Sequence, residues 1–64
     1  MTTDLDIWRA ATLLIEQHGE NAQLVALERH AMMLVQQDLA GAEVWSRIRQ
    51  AIKELQAPPQ GRPH

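Results

Sequence analysis

The run Gly41-Ala42-Glu43-Val44-Trp45-Ser46-Arg47-Ile48-Arg49-Gln50-Ala51-Ile52-Lys53-Glu54-Leu55 carries the least ambiguous structural signal in the chain. At about 100° per residue, Gly41, Val44, Trp45, Ile48, Ala51, Ile52 and Leu55 fall on one stripe, and Glu43, Ser46, Gln50, Lys53 and Glu54 fall opposite. This is a helix with one buried face. Asp38 precedes it as a short acceptor for the orphan N–H groups of a first turn. Pro58 follows and restricts Ala57, so the helix should run over about 39–56. Gly41 lies on the buried stripe, where a missing side chain lets a neighbouring helix come close.

Working towards the N-terminus, Gly19 and Asn21 divide the remainder into two further helices. Thr3 or Asp4 can cap the first, over about 4–17, with Asp4 and Asp6 favoured by the positive end of the helix dipole. Its apolar side gathers Ile7, Trp8, Ala11, Leu14 and Ile15, leaving Leu5 and Leu13 outside. Gly19 should end it with a positive φ, and Asn21 should cap the second helix, over about 22–37. No strand or hairpin turn is signalled. The fold class read from this pattern is all-α, a compact three-helix bundle over 4–56. The predicted core is Trp8, Leu14, Ile15, Leu24, Leu27, Ala31, Leu34, Trp45, Ile48, Ile52 and Leu55. The tail 57–64 holds all three prolines and no large apolar side chain, and should be disordered.

The second helix departs from the simple pattern because it has two apolar stripes on nearly opposite sides. Leu24, Leu27, Ala31, Leu34 and Val35 form one; Ala22, Val25, Ala26, Met32 and Met33 form the other, with Arg29 inside it. Glu28 lies in one border between them, and His30, Gln23 and Gln37 lie in the other. Either this helix is central in the bundle and uses both stripes internally, or one stripe faces another molecule. The larger leucine stripe is assigned to the core. That leaves Ala22, Val25, Ala26, Arg29, Met32 and Met33 as the protein-interaction surface, for a homodimer or a partner helix, with methionine suited to an adaptable contact.

Composition excludes several other roles. Sixty-four residues hold one small domain, and the absence of cysteine removes disulfides, thiolate chemistry and cysteine-bearing zinc motifs. Six basic residues against eight acidic ones give a net charge of −2, which opposes a polyanion. The acidic opening Met1-Thr2-Thr3-Asp4-Leu5-Asp6 is unlike a secretory or transit signal, and the longest apolar run, 31–35, is far below the ~20 residues of a membrane span. A cytoplasmic protein without membrane attachment is expected.

Catalytic and metal-binding patterns were sought on the same basis. Ser46 and Thr12 have no paired base, and His18, His30 and His64 have no carboxylate or histidine four residues away, so no enzyme, metal site or cofactor is expected. His18 should serve the carbonyls at a helix end, and His30 should be a solvated flank residue. Nucleic-acid binding by a helix-turn-helix arrangement is the alternative reading. The third helix carries Arg47, Arg49 and Lys53, but Glu43 stands in salt-bridge order with Arg47, and two remaining charges make a poor phosphate track.

The spacing Asp6-x-Trp8-Arg9, Ala11, Leu14-Ile15, His18-Gly19, Ala22, Asp38-x-x-Gly41 and Val44-Trp45-x-Arg47-Ile48-x-x-Ala51-Ile52-x-x-Leu55 resembles a group of small alphaproteobacterial three-helix proteins of unknown function. The resemblance covers 4–56 and implies a bacterial cytosolic three-helix protein. It brings no catalytic residues. Gln37 stands where that group more often has glycine, which suggests that the second helix runs directly into its cap.

Overall fold

Thr3 opens the first helix with a reciprocal cap, its hydroxyl accepting from the Asp6 N–H and its own N–H donating to the Asp6 carboxylate, each at 3.2 Å. Two orphan donors are thereby satisfied at once. The computed structural model describes residues 3–57 and is helical almost throughout: α1 (Asp4–His18), a 3₁₀ turn (Gly19–Asn21), α2 (Ala22–Val35) and α3 (Leu39–Gln56). No strand occurs among the described residues. The three-helix architecture and the α3 limits match the sequence expectation. The expected disorder of the proline-rich tail concerns residues that, beyond Ala57, lie outside those described.

The connections explain the differences at the helix ends. Gly19 has φ 56° and ψ −125°, a conformation that a side chain would strain, and its N–H still donates to the Ile15 carbonyl. Asn21 belongs to the 3₁₀ turn and makes no side-chain cap, so the expected N-cap role is corrected. The tight turn leads straight into the first turn of α2 and leaves no extended capping position. The second helix stops at Val35, short of the expected residue 37. Gln36 closes it and Gln37 takes φ 62°. The Gln37 N–H donates to the Leu34 carbonyl at 3.0 Å and the Asp38 N–H to the Met33 carbonyl at 2.8 Å. This pair of bonds is the Schellman closure, built here on glutamine instead of glycine. Asp38 at once caps α3 through its carboxylate, which accepts from the Gly41 N–H at 2.9 Å.

The central element is α3, which packs against both α1 and α2, while those two touch each other less. The buried cluster consists of Ile7 and Ala11 from α1, Ala22 and Ala26 from α2, and Ile48, Ala51 and Ile52 from α3. Leu14, Ile15, Val44 and Trp45 are half-buried against it. Of the predicted core, Ile48 and Ile52 are buried. Leu24, Leu27, Ala31, Leu34 and Leu55 are exposed, and Trp8 is 39% exposed. The physical reason is space. The bulk of Ile48 and Ile52 on α3 fills the middle of the bundle, so the surface of α2 that meets it is the one with small side chains.

Candidate functional site

The inward face of α2 runs through Ala22, Ala26, His30 and Met33, spaced at four, four and three residues. Ala22 and Ala26 are fully buried. Met33 reaches the start of α3: a Cβ built on Gly41 would lie 2.8 Å from the Met33 sulfur and 2.7 Å from Asp38 Oδ2. Gly41 therefore leaves room for the Asp38 cap and the flexible end of Met33, instead of for the backbone of a neighbouring helix as its place on the stripe suggested. His30 is half-buried, and its Nδ1 lies 2.7 Å from the Ala42 carbonyl oxygen. Because the carbonyl can only accept, the proton sits on Nδ1. The histidine is a tie between α2 and α3 and not the solvated flank residue expected.

These contacts redistribute the residues assigned to the interaction surface. Ala22 and Ala26 are core residues of this chain and are unavailable to a partner, which corrects that part of the assignment. Val25 and Met33 are half-buried at the same inward side. Arg29 and Met32 are exposed. The stripe turned to solvent is instead the one assigned to the core: Leu24 is 54% exposed, Leu27 40%, Leu34 47% and Val35 82%, with Ala31 exposed between them. Four of these positions, 24, 27, 31 and 34, follow the three-four-three spacing of a two-helix seam. Glu28 borders the seam on one side and Gln23 and His30 on the other. That spacing was the overlooked signal in the sequence, because bulk alone suggested that the leucines belonged inside.

The remaining surface offers little chemistry. A shallow open groove between α1 and α3 is lined by Asp4, Ile7, Trp8, Arg47 and Gln50. Its one cationic lining residue, Arg47, is 3.4 Å from Glu43 in an exposed ion pair one turn away. Outside that pair, Arg49 and Lys53 are the exposed basic residues of α3 for the helix-turn-helix alternative. The Thr12 hydroxyl donates to the Trp8 carbonyl at 2.9 Å, so it is engaged within its own helix. Among the described residues there is no group of three or more His, Asp or Glu side chains placed to hold a metal. No described helix is long and apolar enough to cross a membrane. No protein-family model matches the chain, and neither a curated protein nor a solved structure matches it.

Proposed function

We propose that the protein is a non-enzymatic helical interaction module that associates with a second copy of itself along the outward face of α2. The observation that carries this reading is the continuous seam Leu24, Leu27, Ala31 and Leu34, apolar at every position and turned away from the chain's own core. Contiguous apolar surface of this kind is costly in water, and the largest such patch on a small protein is often a contact site. The seam and Val35 expose about 400 Å² per copy. Two copies facing each other there bury at most about 800 Å² in total, the size of a weak contact. Such a pair is weak and reversible. A cytosolic setting fits the acidic, cysteine-free composition.

Light scattering over a range of concentrations tests the reading. The wild-type chain is expected to shift from monomer to dimer across the micromolar range. Leu24→Glu is expected to stay monomeric and folded, since that residue is 54% exposed in the isolated chain. A wild-type chain that remains monomeric at high micromolar concentration overturns the proposal.

A further inference from the structure

Met32 and Met33 are neighbours in sequence with opposite surroundings. Met32 is 49% exposed, whereas Met33 is half-buried and sets its sulfur over Gly41 at the start of α3. The Asp38 carboxylate crowds the same space: a Cβ on Gly41 would lie 2.8 Å from the Met33 sulfur and 2.7 Å from Asp38 Oδ2. A thioether suits this position because it is flexible, apolar and only a weak acceptor. We propose that Met33 is a peroxide-sensitive modification site, and that conversion of its thioether to the sulfoxide detaches the end of α2 from the start of α3.

The step is a two-electron oxygen transfer from hydrogen peroxide. A sulfur lone pair attacks one peroxide oxygen and the O–O bond breaks. The displaced hydroxide takes the proton from the new S–OH group and leaves as water, so the sulfur is oxidised and the peroxide reduced with no further reactant.

The product does not fit where the thioether does. Sulfoxide formation makes the side chain larger and polar. Over Gly41 the new oxygen faces the Asp38 carboxylate, an acceptor against an acceptor. The donors of that turn are already engaged, the Gly41 N–H by Asp38 Oδ1 and the Ala42 N–H by the Asp38 carbonyl, each at 2.9 Å. An oxygen that stays therefore competes with the cap of α3. Alternatively the flexible end of Met33 swings out to water and leaves the space over Gly41 open, with its packing contacts forfeited. Either course removes a contact between α2 and α3 next to the three-residue turn that joins them. Met32 is already turned to solvent and takes up an oxygen without disturbing that junction.

The chain has no cysteine, so peroxide acts on methionine without competition from thiols. Wild type, Met32→Leu and Met33→Leu are treated with hydrogen peroxide, the added oxygen is located by peptide mass spectrometry, and melting is followed by circular dichroism. Dilute protein keeps any association along α2 out of the readout. Leucine has nearly the volume of methionine and does not take up oxygen. Wild type and Met32→Leu should each lose about 4–8 °C in melting temperature once residue 33 is oxidised, the scale of a lost helix cap, while Met33→Leu should lose less than about 1 °C. Methionine sulfoxide reductases acting on both epimers should restore the wild type. If Met33→Leu does not fold, the wild type still decides, because across a peroxide titration the loss must follow oxygen at residue 33 and not at residue 32. Three results overturn the proposal: an equal loss in Met33→Leu, unchanged melting with residue 33 fully oxidised, or a residue 33 that stays unmodified while Met32 is converted.

Discussion

At the scale of single residues, Gln37 bears the clearest cost. It occupies the left-handed position after α2 at φ 62°, where its Cβ crowds the backbone and glycine would not. Gln37→Gly should therefore stabilise the fold by about 0.5–1 kcal/mol, raising the melting temperature by about 2–8 °C in a domain of this size. A lower melting temperature would show that the glutamine side chain makes a compensating contact. Asp6 makes the opposite kind of contribution. Hydrogen bonds from the Thr3 backbone N–H, and then from the Thr3 side chain, hold its carboxyl below the ordinary value of 3.8. A depressed folded-state value stabilises the native protein above the unfolded carboxylate range, and this contribution disappears as pH falls through the lowered value. Asp6→Asn should flatten the dependence of stability on pH below about 4; denaturant titrations at several acidic pH values that give the same slope for both proteins would dismiss it. Both caps were legible in the sequence, because Thr3-x-x-Asp6 and Asp38 ahead of Gly41 advertise their acceptors. The left-handed Gln37 was not, since nothing in its own chemistry asks for that geometry. Its own N–H bond to the Leu34 carbonyl and the Asp38 N–H bond to the Met33 carbonyl impose it.

At the scale of the helix, α2 has two apolar sides with opposite tolerances. Ala26 is fully buried in the cluster with Ile48 and Ile52, so Ala26→Leu overfills the interior and should cost about 1–3 kcal/mol. Leu24→Ser, on the other side, should change the stability of the dilute monomer by no more than about 0.5 kcal/mol. Urea unfolding of both variants at low concentration checks the pair, and the reverse ranking would mean that the leucines point inward. The periodicity of α3 was readable because it has a single apolar stripe. That of α2 was readable as a pattern but not as an orientation, since both stripes qualify and hydrophobicity favours the larger. The deciding factor is the volume that α3 presents. Ile48 and Ile52 share the buried cluster with Ala22 and Ala26, and the Met33 sulfur lies over Gly41 at the start of α3.

For the molecule as a whole, the interior is built from five alanines and three isoleucines: Ala11, Ala22, Ala26, Ala42, Ala51, Ile7, Ile48 and Ile52. Helices that meet through alanine approach closely, but they bury little apolar area per residue, and a chain of this length has few other reserves. Helix number and approximate limits followed from apolar periodicity together with capping and turn residues. Which surfaces faced inward depended on the mutual fit of three elements, and no single stretch of sequence encodes that. The three-residue turn 36–38 between α2 and α3 also has a kinetic consequence. It brings two helices together across a short loop, with the closure on Met33 and Leu34 and the Asp38 cap all local, so the entropy lost in joining them is small. The bond from the Gln56 side-chain amide to the Gly19 carbonyl, at 2.9 Å, spans 37 residues and closes the far end of the same hairpin, at the turn that leads into α2. The α2–α3 hairpin should therefore be formed at the folding barrier and α1 should join after it. In stopped-flow measurements Gln37→Gly should speed refolding, whereas Ile7→Val in α1 should mainly accelerate unfolding. The residue that strains the turn is thus also the one that sets how fast the chain finds its shape.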